Sequence, residues 1–450
     1  MRWNNGDKHK HKKMKSKIKK VLLVLALSGA AQLCLAQQTV HRVIILNEGH
    51  YDYINSVQTV PVTIGAYDPV SHAYNQFGVI TDARFATHVI TDGSSIYAAA
   101  DSFIVRYDID SYQVLATAVL PGVRKLAVWN NQLIASRGEY LVTFNSYVSV
   151  LDKNTLQPIY SLPAVVNAGP EYASEGIVVT NDKAYIAVNN GFDWGNEKGL
   201  LGTLDLQTQS YVGEIDLGPN GKNPEYIALL NNQVFTVNNR DFTAASISAV
   251  DLSNSNVTTV DLGITNGCGG SVLALNDIFY QQLGNSDLRK FSTSGMANTG
   301  TLNINKSIYG MAHDAVNNLL YAGETDFVSW GKIFIYQPDG TLIDSFNVSV
   351  APGNIALDIR NSASVDENKI ENSFSVYPNP AHNEIRITDA GFKILSLDIY
   401  DALGQKVFSQ AQISNAKPQT IIDVSSLTPG VYLLSLKADG KIFSNRIVKY

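Results

Sequence analysis

Along residues 42–359 the hydrophobic pattern repeats one unit: an apolar strand, a tight polar turn, an apolar-aromatic strand, a variable loop, a strand ending near Asp, and a final strand. The turns read Asp92-Gly93, Asn130-Asn131, Asn181-Asp182, Asn231-Asn232, Asn276-Asp277 and Asn317-Asn318. Asn, Asp and Gly tolerate the positive φ of hairpin turns, so each pair predicts a connection between antiparallel strands. The strands after the turns resemble one another: SIYAAA, QLIAS, KAYIAV, QVFTV, DIFYQQ and LLYAG. The third strands (TIGAYD, FIVRYD, VSVLD, LGTLD, ISAVD, LRKFS, IFIYQ) end at 68, 108, 152, 205, 251, 292 and 337. Successive ends lie 40 to 53 residues apart, near the length of a four-stranded propeller blade, and seven third strands predict seven blades. A β-solenoid is the other repeat architecture, but its repeats are usually shorter.

The ends of the repeat predict how the ring closes. The chain enters at a second-strand pattern, Val43 to Asn47, while NIALD at 354–358 is a first strand without followers. Pairing the two completes blade 1 and leaves no open sheet edge. A polar linker, 361–372, is too poor in apolar residues to join a core and marks a boundary. Short alternating strands return in 373–450 (SVYP, EIRIT, SLDIYD, KVFSQ, TIIDV, GVYLLSL, FSNRIVK), as in a small sandwich. The predicted fold class is therefore all-β: a seven-bladed β-propeller over 37–360 followed by a small immunoglobulin-like β-sandwich.

Before the repeat, residues 1–20 hold nine Lys or Arg against one acid, Asp7, and Val21 to Leu27 is an apolar run. This is the layout of a secretory signal peptide, with cleavage expected after Ala36; Met14 also heads a conventional leader. Acylation of Cys34 is the alternative, but Ala31-Gln32-Leu33 lacks the usual lipoprotein spacing. No later segment reaches the roughly 20 apolar residues of a spanning helix, so an integral membrane protein is not expected. Removing residues 1–36 takes nine of 34 basic and one of 40 acidic residues, leaving 25 against 39 and a formal charge of −14. With no basic stripe, nucleic acid is not an expected partner. Cys268 would be the one remaining cysteine, without a disulfide partner or an identifiable His.

Candidate chemistry concentrates in the loops between second and third strands, which share a face with the loops between blades. They read NEGHYDYIN, SRGEYLVTFNS, NNGFDWGNEKG, NNRDFTAAS and GETDFVSWGK, against mostly two-residue turns opposite. Tyr51, Tyr53, Tyr140, Phe192, Trp194, Phe242, Phe327 and Trp330, with Asn, Asp and Glu between them, suit a planar or sugar-like ligand by stacking and hydrogen bonding. The same aromatics could instead pack the loops together. Glu171, Glu175, Asn223 and Glu225 could ring the channel mouth as oxygen ligands for Ca²⁺, or form a solvated acidic rim. His50, His88 and His313 fall in neighbouring blades 1, 2 and 7 and could share a metal, but no close ligand spacing accompanies them. Asp241 and Asp326 precede Phe at matching loop positions, which speaks for repeated loop architecture.

The segments SFSVYPNPAHNEIRI, LDIYDALGQKV and LTPGVYLLSLKADGKIFSNRIVKY, covering the last 78 residues, resemble the C-terminal sorting domain of type IX secretion substrates of Bacteroidota. The landmarks are Tyr377-Pro378-Asn379-Pro380, the Gly404 turn, and Gly430-Val431-Tyr432 leading to Lys449. The resemblance implies passage through the type IX machinery across the outer membrane, removal of the tag, and often attachment to surface lipopolysaccharide. The repeat region resembles, more loosely, YncE-like or YVTN-type surface propellers through ILNEG and the IAVNN-type and VLD-type strands. Some members of that group capture corrinoids at the cell surface. Related-looking six-bladed propellers are lactonases or lyases. Together these features favour a secreted or cell-surface binding protein for a small molecule such as a corrinoid, a glycan or a protein, over a metal-dependent propeller hydrolase, lactonase or lyase.

Overall fold

Alternation along a strand sends successive side chains to opposite faces, so a strand apolar at every position has both faces covered. Val43, Ile44, Ile45 and Leu46 are such a run, and none retains solvent exposure. Ile44 and Leu46 pack with Ile96 and Ala98 of the next repeat, whereas Val43 and Ile45 pack with Tyr321 and Ile333 of the last. The computed structural model describes residues 37–240, 244–263, 269–281, 285–362, 375–388, 394–402, 404–411, 419–438 and 441–450. The leader, most of the linker, Asp241, Phe242 and Cys268 lie outside these. The chain divides into two compact units, one spanning Gln38–Ser362 and one holding the C-terminal residues from Ala363 onward.

The first unit is a ring of seven four-stranded antiparallel blades. Strand Asn354–Ser362 joins the sheet of Gln37–Asn47, Val62–Asp68 and Ala73–Ile80, so both ends of the repeat region share blade 1. The closing strand runs past NIALD to Ser362, two residues into the polar segment read as linker. It is held from several sides: Thr91 Oγ1 of blade 2 donates to Leu357 O at 2.8 Å, and buried Asp358 takes His41 at 3.1 Å and Arg360 at 2.7 Å. Seven hydrophobic clusters fill the seven interfaces between blades, the last of them sealing blade 7 against blade 1.

The recurrent Asp ending the third strands has a local cause. Asp68, Asp108, Asp152 and Asp205 each accept hydrogen bonds from the backbone N–H groups two and three residues on, which turns the chain into the fourth strand. Those bonds hold the four carboxyls below their ordinary pKa. The Asn-rich turns behave as expected at Asn181-Asp182 and Asn231-Asn232, where both residues have positive φ. In blade 6 the turn is instead Leu275-Asn276, because Ala274 pairs with Asp277 and draws that aspartate into the strand. In blade 7 a longer turn follows Asp314, whose Oδ1 accepts from Val316 and Asn317 N–H.

The second unit has two facing sheets. Three strands, Ser375–Tyr377, Glu384–Thr388 and Gln419–Asp423, form one; Ile394–Tyr400, Lys406–Ala411, Gly430–Ala438 and Lys441–Lys449 form the other. Ile385, Leu397, Ile399, Leu434 and Leu436 fill the space between them, as in an immunoglobulin-like sandwich. Tyr432 reaches into this core and donates through its hydroxyl to Thr428 O at 2.6 Å. Among the described residues no helix is long and apolar enough to cross a membrane.

Candidate functional site

The first strand of each blade lines the central channel, and in five blades its register slips near its start. The slips fall between Ala86 and His88, Val123 and Leu126, Ser174 and Ile177, Pro224 and Tyr226, and Ile308 and Gly310. Such a bulge breaks alternation and re-aims the side chains inside it. The residues inside are Thr87, Arg124, Lys125, Glu175, Gly176, Glu225 and Tyr309, and every one of them lines a single cavity of about 550 Å³. Glu48, at the start of the loop after the second strand of blade 1, and Phe192, from the matching loop of blade 4, also line it. The cavity therefore opens on the long-loop face.

Charges in this wall are tied down individually. Arg124 Nε donates to Glu175 Oε1 at 2.5 Å, with the guanidinium carbon 5.1 Å from the centre of the Phe192 ring. Lys125 Nζ donates to the Thr87 carbonyl at 2.7 Å, and burial lowers its pKa. The Tyr309 hydroxyl donates to Glu48 Oε1 at 2.5 Å, and Asn239 Nδ2 donates to Glu225 Oε2 at 2.8 Å. Burial pushes the carboxyls of Glu48 and Glu225 up to about 7, more than those hydrogen bonds and the nearby Arg124 and Lys125 pull them down. His88 accepts the Leu126 N–H through Nδ1 at 2.9 Å, which leaves its proton on Nε2; burial, then Lys125, hold the ring neutral. The site thus offers two cations, two carboxyls that change charge near neutral pH, a phenol, a neutral imidazole and aromatic faces.

The expected binding aromatics are distributed over this face. Tyr53 and Phe192 line the cavity. Tyr51 meets Tyr53 edge-on at 4.9 Å on a small hairpin, His50–Asp52 with Val57–Val60. Phe327 lies edge-on to Tyr309 at 4.8 Å, one step behind the cavity wall. Tyr140 and Trp194 form a tilted pair 5.7 Å apart on neighbouring loops, both largely exposed, and Trp330 is 73 % exposed at the start of its strand. Phe242 lies outside the described residues.

The expected oxygen ligands do not assemble as a metal group. Glu171 is exposed, Glu175 is engaged by Arg124, and Glu225 by Asn239. Asn223 is fully buried, and among the described residues neither of its amide atoms has a partner. His50 pairs with Thr59, and His88 with the Leu126 amide, in place of a shared metal. Among the described residues no three His, Cys, Asp or Glu side chains are placed to hold a metal ion, so the donor set does not fit Ca²⁺. Arg124, Lys125, Glu48 and Tyr309 were not singled out by the sequence. The available signal was spacing: Val123 and Leu126 are both buried but three residues apart, an interval that a regular strand does not allow on one face.

In the C-terminal unit the separated landmarks meet. Asn379 Nδ2 donates to Arg446 O at 2.7 Å and its Oδ1 accepts the Val448 N–H at 2.9 Å, while Ala381 bridges Lys449. The Tyr377-Pro378-Asn379-Pro380 segment is thus laced to the final strand that carries Lys449.

No curated protein matches the chain as a whole. Among solved structures, Kuenenia stuttgartiensis hydrazine synthase matches with a TM-score of 0.50 at 15 % identity, over 64 % of this chain and 98 % of that one. The β-propeller domain of Myceliophteria thermophila Cps50 (Swd1) gives 0.47 at 12 %, over 64 % and 91 %, and BamB from Moraxella catarrhalis 0.42 at 11 %, over 79 % and 95 %. At 15 % identity the likeness to the first of these speaks to the fold alone. Residues 375–450 match the secretion system C-terminal sorting domain, the type IX kind, so this is a propeller exported to the cell surface or beyond, with the sorting signal built into its last strands.

Proposed function

We propose that this protein captures a ligand on the long-loop face of its propeller, with the channel-mouth cavity as the pocket and the sorting domain as an export and anchoring tag. In this reading the leader directs the chain out of the cytoplasm, the type IX machinery carries it over the outer membrane, and the mature propeller stays on surface lipopolysaccharide or is released. The propeller belongs with the YncE-like surface propellers of Bacteroidota. The observation that carries the reading is the cavity: about 550 Å³, built by re-aimed side chains from five blades and walled by both charged and aromatic groups. That volume lies within the range of small-molecule sites, about 300–1,000 Å³. A sugar-sized ligand enters it whole. A corrinoid would occupy it only in part, its remainder resting on rim aromatics such as Tyr140 and Trp194.

The test is calorimetric titration and thermal shift of the full mature chain against sugars, sugar acids, small aromatic acids and corrinoids. Saturable binding weakened tenfold or more by Phe192→Ala or Tyr53→Ala, about 1.4 kcal/mol, is the expected result. Stabilisation by no compound, or binding indifferent to both substitutions, would sink it.

One observation favours a second reading, an enzyme of the hydrolase or lyase class: Glu48 and Glu225 sit in a cleft with carboxyls poised near pH 7, as general acid–base groups are. Turnover of a lactone or polysaccharide lost in Glu48→Gln would move the assignment there.

A further inference from the structure

We infer that the cavity selects a small organic monoanion, its carboxylate held against Arg124 and Lys125, and that Glu48 and Glu225 take up protons as it binds. This rests on the capture reading above and names the ligand class for that same site. Arg124 and Lys125 are consecutive residues, both turned into the cavity by one bulge. Two half-buried cations side by side repel each other and are stabilised by counter-charge. Glu175 supplies one, at 2.5 Å from Arg124. Lys125 has the Thr87 carbonyl but, among the described residues, no carboxylate within ion-pair distance. A ligand carboxylate supplies the missing partner and also reaches the Arg124 nitrogens that face away from Glu175. The Phe85 and Phe192 rings flank the same space and suit the body of a sugar acid or aromatic acid.

The other titratable groups set the sign of the field. Glu48 is faced by Tyr309 from blade 7, by Arg124 and Lys125 from blade 3, and by Tyr53 from the hairpin. Glu225 is faced by Asn239 within its blade, by Glu175 from blade 4, and by Arg124 and Lys125. His88 stays neutral throughout. With Glu48 and Glu225 protonated, Arg124, Lys125 and Glu175 leave the wall with one net positive charge. With both ionised it carries one net negative charge. A monoanion is attracted to the first state and repelled by the second, so its binding draws protons onto the two carboxyls by linkage.

The experiment titrates the full mature chain with matched pairs, glucuronate against glucose and benzoate against benzamide, at pH 6, 7 and 8 in buffers of different ionisation enthalpy. The anion of at least one pair is expected to bind, and its neutral partner at least tenfold more weakly. Affinity should fall by up to about 100-fold from pH 6 to 8, with about one proton taken up per ligand at pH 7, for two groups titrating near 7. Glu48→Gln should cut the pH ratio to about tenfold, and Lys125→Met should weaken the anion tenfold or more at pH 6. Should Lys125→Met fail to fold, the wild-type pH ratio, the proton count and the Glu48→Gln profile decide the matter. Neutral partners binding as tightly as anions, with no proton uptake, would overturn the inference and leave capture standing; no binding by any member of either pair, nor by the wider ligand set above, would overturn both.

Discussion

Glu48 should make the propeller lose stability as pH rises, and Glu48→Gln should abolish that loss without any ligand present. The folded-state pKa is raised, from 4.5 to about 7, so between these values the native state holds a proton that the unfolded chain has released. Stability from this group is therefore full below pH 4.5, declines as pH climbs toward 7, and is level above. The difference corresponds to about 3 kcal/mol, reduced to about 2 because the side chain keeps some contact with solvent in the cavity. Gln keeps an oxygen to accept the Tyr309 hydroxyl but cannot ionise, so the variant should match wild type at pH 4 and exceed it by about 2 kcal/mol at pH 8. Urea unfolding followed by tryptophan fluorescence reads this out in the full chain, since Trp129, Trp194 and Trp330 all lie in the propeller and no tryptophan follows them. Taking the difference between variant and wild type cancels the titrating groups that do not interact with Glu48, which leaves chiefly Lys125 and Tyr53 beside it. A difference constant to within about 0.5 kcal/mol between pH 4 and 8 would refute the burial argument for this carboxyl.

Two further substitutions test the architecture. Ile45→Ala hollows the cluster that seals blade 7 against blade 1 and should cost about 2–5 kcal/mol in the same urea assay; a loss below 1 kcal/mol would mean the ring does not depend on that interface. Asn379→Ala removes both hydrogen bonds from the Tyr377–Pro380 segment to the final strand, about 1 kcal/mol, and should raise exchange of the Val448 amide roughly fivefold; unchanged exchange would count against the lacing described above.

The ring was legible because its physics is local and repeated. Each second strand is apolar at successive positions because both of its faces meet another blade, and six of the seven third strands end in an Asp or Ser that starts the next turn. Closure could be read from a surplus first strand at one end and a deficit at the other. The misplaced turn in blade 6 shows where composition misleads: Asn276-Asp277 looks like a hairpin pair, yet register with Ala274 takes Asp277 into the strand and leaves Leu275 exposed at positive φ. Register is a property of two strands, and one strand's residue types do not determine it.

The binding face was legible as a face, since loop length and aromatic content mark it, but the pocket within it was not. Reading Glu175 and Glu225 as metal ligands treated them as rim residues, whereas bulges turn them inward toward Arg124 and Asn239. A bulge adds one residue and reverses the side of everything beyond it, so a charged pair such as Arg124-Lys125 in a first strand looks like one residue in and one out until the slip between Val123 and Leu126 is known. Five slips at equivalent heights around the ring convert what would be outward-alternating strands into a polar lining at one end of the channel. What distinguishes this propeller as a binding scaffold is therefore carried less by its long loops than by the short irregular openings of its innermost strands, and those are the positions at which related propellers of different specificity should differ.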